Sequence, residues 1–358
     1  VSAAGSAKIA IVGGGIVGLS IAWRLCQRGL RVTIFDRQAV GQEASWVGAG
    51  MLAPAGEISQ PGALSTLLQE ARALYRTFVK ELEEESGVPI DYQESGGLDL
   101  AYASGDLEAL LERGTCQSAL GIGWEFVEPQ RILATWPGIR SAGLTGGLFY
   151  ANDASVNPRE VVSALKTVCL KRGALLQEGQ EVAQLDVQAG SVVVNTGERH
   201  IFDAAVIAAG AWSSQIPVSG VPPLGAVEPV KGHILAYQQP PRTCPLILRL
   251  GHIYLLQRAN GILLAGASME RAGFDRTIQP GIAASIAEKA GFVLPCLAGT
   301  EPTHTWTGFR PASEEVYMGR WHSNRLFAAY GHFRNGILLA PLTAARIASA
   351  VKGQSPIS

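Results

Sequence analysis

The chain has 358 residues, 47% of them hydrophobic and 16% charged, with a formal net charge of −1. That length supplies a large core and room for two domains. The near-zero charge gives no basis for binding nucleic acid or an anionic membrane. No run of about 18 apolar residues occurs, so no membrane span is expected. The cysteines, Cys26, Cys116, Cys169, Cys244 and Cys296, are scattered, without C-x-x-C or metal-ligand spacing. They read as reduced thiols of a cytoplasmic protein, with no metal site.

Residues 1–7 are too short and polar for a signal peptide and read as a loose terminus. Ile9-Ala10-Ile11-Val12 then reads as a buried parallel strand, followed by Gly13-Gly14-Gly15-Ile16-Val17-Gly18, a G-x-G-x-x-G. Leu19, Ala22, Trp23 and Cys26 hold one face of a helix that Gly29 ends. Val32–Phe35 is a second strand, and Asp36 closes it 18 residues beyond Gly18. Each part has a mechanical reason. Gly13 allows the tight turn, Gly15 lets backbone approach a pyrophosphate at the helix N-terminus, and Gly18 lets helix and strand pack closely. Asp36 can accept hydrogen bonds from ribose hydroxyls, which favours FAD or NAD over NADP, with Arg37 beside it as a contrary sign. The fingerprint alone does not separate FAD from NAD.

The segment Gln42–Pro54 is a long small-residue stretch. Leu64 to Leu82 holds helical spacing and ends in Glu81, Glu83, Glu84 and Glu85, with Gly87 as the stop. Residues 96–101 alternate like a strand, and Asp106 is placed to cap a helix carrying Leu107, Leu110 and Leu111. A strand near Trp124–Val127, a helix from Pro129 and a strand at Gly147–Tyr150 follow. Pro158 stands in the first turn of a helix with Val161, Val162, Leu165, Val168 and Cys169 as its stripe. Strands are expected at Ala174–Gln177, Val192–Val194 and Ala204–Ala208, the last running into Ala209-Gly210-Ala211-Trp212. From Pro222 to Thr303 the character changes: three strands (Gly232–Tyr237, His252–Gln257, Gly261–Ala265), then a helix with Ile282, Ile286, Ala290 and Val293. Arg310 stands in Gly308-Phe309-Arg310-Pro311, where the proline holds it extended. A strand at Leu326–Ala329 leads through His332, Phe333 and Arg334 into a last helix starting near Asn335–Ile337.

These motifs resemble the D-amino-acid oxidase family of flavoproteins, most closely the glycine oxidases associated with thiamine biosynthesis. The resemblance covers nearly the whole chain. It implies an α/β fold: a Rossmann-like FAD-binding domain of the glutathione-reductase type plus a second, mainly antiparallel α+β substrate domain. The expected division is 1–87, 151–221 and 304–358 for FAD, and 88–150 and 222–303 for substrate. The Ala49-Gly50-Met51-Leu52 run is similar to the family's loop along the flavin, with Ala44 and Ser45 just before it. Val182 matches the residue whose backbone meets adenine. Ala209, Gly210 and Trp212 match a crossing that passes close to the dinucleotide.

The resemblance also implies that Arg310 and Arg334 hold the substrate carboxylate, which a guanidinium grips with two parallel bonds. Tyr254 matches a tyrosine that reaches the same carboxylate. His252, two residues earlier, is read either as pocket-lining or as a locally satisfied histidine, and Met269 resembles a pocket-lining methionine. His332 to Leu338, including Asn335, Gly336 and Ile337, would present a helix N-terminus to the flavin, favouring negative charge there. Arg334 thus belongs to both groups. The implied reaction is oxidation of a small amino acid, glycine first, then sarcosine and small D-amino acids. Hydride passes to flavin N5 and O₂ becomes H₂O₂. The imine gives glyoxylate and ammonia, or serves thiazole synthesis. No acid or base residue is required if the amine binds neutral. No cysteine lies near Gly308–Pro311, so FAD is expected to be non-covalent. By family analogy the protein forms a homo-oligomer, a tetramer. A D-amino-acid dehydrogenase, an imino-acid oxidase and a flavin-binding module without oxidase activity stay open as alternatives.

Overall fold

The computed structural model describes residues 6–351, so the first five residues of the expected loose terminus lie outside the described residues. A six-stranded sheet runs in the order 317–320, 326–330, 204–207, 8–12, 31–36, 175–178. Its joins are parallel except at the edge strand Tyr317–Arg320, which is antiparallel to Leu326–Tyr330. Alternation along the strands sorts two layers. Ile9, Ile11, Val32 and Ile34 face the helices Ile16–Gln27, Ala63–Ser86, Pro158–Lys171 and Gly336–Val351. Ala10, Val12 and Phe35 face a small sheet of strands 184–187, 192–195, 199–202 and 218–219 through Leu185, Val192, Val194 and Phe202. With both faces covered, Ile9–Val12 must be apolar throughout, and all four residues are buried.

The second sheet has eight strands, in the order 304–312, 228–238, 262–266, 253–257, 247–250, 97–101, 146–150, 125–127. It is antiparallel apart from the join of Ile247–Leu250 to Gly97–Ala101. The same alternation works here. Leu235 and Tyr237 pack on the outer helix Pro280–Val293 through Ile286, Ala290 and Val293. Ile234 and Ala236 turn inward and pack with Ala49, Ala53 and Tyr254. The inward face of this sheet and the C-terminal ends of the parallel strands enclose the space between them.

The structure differs from the sequence expectations in a few places. The strand His304–Ala312 pairs along its length with Glu228–Ala236, so it joins the antiparallel sheet rather than reopening the cofactor side. The chain returns to the parallel sheet only at Tyr317. Asp106 is not the cap. The helix begins at Ser104, and Asp106, one turn in, accepts the backbone N–H of Ala103 at 3.2 Å. The helix after Ala208 is a short 3₁₀ turn, Gly210–Gln215. Among the described residues, no helix is long and apolar enough to cross a membrane.

Candidate active site

A cavity of about 900 Å³ lies between the two sheets. Its floor is the glycine-rich turn. Gly13 has φ +103°, and a Cβ there would sit 2.4 Å from the Ala208 carbonyl oxygen. At Gly18 a Cβ would meet the Gly13 carbonyl at 1.9 Å, so this glycine serves the packing of helix on strand and does not itself line the cavity. Gly15, Ile16 and Val17 do line it. Ser45 Oγ accepts the N–H of Ile16 at 2.9 Å, which ties the small-residue loop to the helix N-terminus. Asp36 stands at the end of its strand, accepting N–H bonds from Gly14 (2.8 Å) and Gln38 (2.9 Å). Burial raises its pKa, while those N–H groups and Arg37 oppose the rise. Arg37 lays its guanidinium over the Trp212 ring, 3.8 Å from the centroid, and bonds Glu43.

The groove continues past Val182, Ala209 and Gly210 on one side and past Ala44, Ala49, Gly50 and Met51 on the other. It ends at His332, Phe333, Arg334, Asn335, Gly336 and Ile337, where the last helix starts. Leu338 lies behind that start, 1% exposed in the main core, and is not part of the lining. His332 is buried and shares a 2.9 Å hydrogen bond with Thr343 Oγ1. Burial lowers its pKa to about 4, so its ring is neutral at physiological pH. The bare turn, the acid at the strand end and a cavity of this length and volume fit an FAD. The fingerprint residues would hold its pyrophosphate and ribose, and the last helix would meet its ring.

Beyond the ring position stand Arg310, Arg334, Tyr254, His252 and Met269, all lining the cavity. Arg310 extends from the strand His304–Ala312 and lies across Gly232 on the neighbouring strand. A Cβ at Gly232 would be 2.4 Å from Arg310 Nη2, so only glycine leaves room for the guanidinium. Arg310 Nη1 donates to the Ser268 carbonyl at 3.0 Å. Among the described residues no carboxylate lies within ion-pair distance of Arg310, and burial lowers its pKa. Tyr254 is 7% exposed, and its phenol stays protonated because burial raises its pKa despite Arg310 and Arg334 nearby. It is a hydroxyl donor beside an unpaired guanidinium. His252 precedes the strand Ile253–Gln257, sits exposed at the cavity mouth, and is therefore not aligned with Tyr254 along a strand. Met269 is 48% exposed there.

Two features carried no sequence motif. Glu57, just after the 3₁₀ turn Pro54–Gly56, places Oε1 2.9 Å from Arg334 Nη2. Burial raises its pKa against the pull of Arg334, Arg249 and Arg310. Arg249, 8% exposed, pairs with Asp99 and, at 2.7 Å, with Asp153. A lone glutamate in a loop and an arginine in an apolar strand have no motif. A charged residue at the centre of Ile247–Leu250 was the available sign of a buried pair.

The chain matches the family described as FAD dependent oxidoreductase (DAO) over residues 8–350. It is 31% identical over 349 residues to the glycine oxidase of Geobacillus kaustophilus, covering 96% of this chain and 92% of that protein. It is 32% identical to the bifunctional protein ThiO/ThiG of Synechocystis, covering 98% of this chain and 52% of that longer protein. The crystal structure of glycine oxidase from Geobacillus kaustophilus superposes with a TM-score of 0.91 at 30% identity, covering 98% of this chain and 96% of that one. Parallel sheet, dinucleotide cradle and antiparallel sheet therefore recur together, and the chain belongs to the DAO family of FAD-dependent oxidoreductases, as a glycine oxidase-like enzyme.

Proposed function

We propose that this enzyme oxidises glycine, with sarcosine and small D-amino acids as further substrates, to the imine. The observation that carries the reading is Arg310: a guanidinium facing the cavity with no acid partner among the described residues, beside the protonated phenol of Tyr254. Such a pair suits one small carboxylate. The relatives' glycine-oxidase and ThiO names support the substrate class and a role in thiamine biosynthesis.

Arg310 and Tyr254 orient the carboxylate so that Cα lies toward the ring position. Tyr254 donates its hydroxyl, and the low-dielectric wall of Ile234 and Ala267 keeps bulk water from the reacting carbon. An FAD held without a covalent bond by the glycine-rich turn, Asp36 and the start of the last helix would supply the acceptor for the Cα hydride and the route to O₂, giving H₂O₂. The helix N-terminus at Gly336 favours the negative charge that arrives there. No side chain is assigned as general acid or base, because a neutral amine expels hydride with its own lone pair. The imine leaves for hydrolysis to glyoxylate and ammonia, or for thiazole synthesis.

Arg310→Ala is expected to cost roughly 2–5 kcal/mol in kcat/KM for glycine, the range for truncating one partner of a buried charge pair. Peroxide production measures it. Unchanged kcat/KM would contradict the clamp.

A further inference from the structure

The strand that carries Gly232 and the segment that carries Met269 each present two faces. Gly232, Ile234, Ala267 and Met269 line the cavity. Lys231, His233, Ser268 and Glu270 alternate with them and turn to the other side. There they meet one another. Ser268 Oγ donates to Glu270 Oε1 at 2.6 Å and accepts the backbone N–H of His233 at 2.9 Å. His233 Nδ1 lies 2.8 Å from Glu270 Oε1 and 3.1 Å from Ser268 Oγ. Because His233 Nε2 accepts the N–H of Gln279 at 2.9 Å, the ring proton sits on Nδ1 and is donated to this pair. Lys231 Nζ lies 3.6 Å from Glu270 Oε2 and 3.4 Å from Asp275 Oδ2, and donates to the Thr277 carbonyl at 3.0 Å. Lys231 and His233 are 0% exposed. Two backbone bonds of 2.9 Å join Lys231 and Glu270.

A buried lysine and histidine are costly without a purpose or a full set of partners. The network reaches the cavity-lining Arg310 by a hydrogen bond through the Ser268 carbonyl, which accepts from Arg310 Nη1 at 3.0 Å. We propose that Lys231, His233, Ser268 and Glu270 are positioning residues for Arg310. Their bonds fix the peptide of Ser268, that carbonyl fixes one edge of the guanidinium, and the other edge is left aimed at the substrate carboxylate. This rests on the reading of Arg310 as the carboxylate clamp.

The test is a double-mutant cycle read by binding rather than turnover. Glycolate, a carboxylate without an amine, is titrated into the FAD-loaded protein and its Kd taken from the flavin difference spectrum. Ser268→Ala removes only a hydroxyl, and Glu270→Gln keeps shape while removing charge. Each is expected to weaken glycolate about tenfold, the scale of one lost buried hydrogen bond. Each should raise KM for glycine in step while leaving the rate of flavin reduction at saturating glycine within about twofold. In an Arg310→Ala background neither change should weaken glycolate further. Wild-type binding by Ser268→Ala and Glu270→Gln, with binding lost in Arg310→Ala, overturns the network alone. The same loss from Ser268→Ala with and without Arg310 also overturns it, since the effect then bypasses the guanidinium. Wild-type binding by Arg310→Ala overturns the clamp reading itself.

Discussion

Arg334 Nη2 lies 2.9 Å from Glu57 Oε1, whereas Arg310, on the same cavity, has among the described residues only the Ser268 carbonyl as a hydrogen-bond partner. The two arginines are therefore not equivalent. One is already neutralised by a half-buried acid, and the other keeps its charge for a ligand. Glu57→Gln removes that neutralisation while preserving shape. Glycolate should bind about three- to tenfold more tightly, as expected for losing a charge repulsion of about 1 kcal/mol across a partly buried site. Weaker binding would show instead that Glu57 is needed to hold Arg334 in place.

Gly13→Ala is expected to abolish FAD retention. Its φ of +103° strains any other residue by roughly 1–3 kcal/mol, and the new Cβ would collide with the Ala208 backbone at the floor of the cradle. The purified variant should lack the visible flavin bands. A normal yellow protein with wild-type FAD content would contradict the placement of the dinucleotide at this turn.

Buried His332 gives the protein a specific pH dependence. Its ring titrates near 6.5 when unfolded and about 4 in the fold. Between those values the unfolded chain takes up a proton that the native state refuses. Its contribution to stability is thus complete above pH 6.5 and is lost as pH falls from 6.5 to 4, by up to about 3 kcal/mol. His332→Asn should flatten that stretch of the stability curve. Urea midpoints measured at several pH values under saturating FAD would show it. An unchanged slope would mean that other groups carry the acid lability.

The unit from Lys8 to Asp36 was legible because each of its cues is local: an apolar strand, a glycine turn, a helical stripe, an acid at the strand end. Arg310 and Tyr254 were legible by motif, and the cavity does bring them together with Arg334. The Glu57–Arg334 pair was not, since nothing near Glu57 in the chain announces a partner in the short turn before the last helix. The network around His233 was hidden for a related reason. Lys231 and His233 alternate with Gly232 and Ile234, and the polar half of an alternating strand usually faces solvent, yet here that face is covered by the segment from Ser268 to Gln279. The FAD-binding region was expected to resume near His304, and the pairing of that strand with Glu228–Ala236 had no local cue because the two are remote in sequence. Asp106 was misplaced by one turn because an acid at the third helical position, reaching back to the N–H of the N-cap residue Ala103, leaves the same sequence sign as a capping acid.

The most direct test of the proposed activity is an anaerobic titration of the FAD-loaded protein with glycine, followed by visible absorbance and then by admission of air. The account predicts that the flavin bands bleach with glycine in the wild type and return with H₂O₂ on aeration, and that Arg310→Ala needs far more glycine for the same bleaching. Bands that stay unchanged with glycine, sarcosine and D-alanine alike would contradict it.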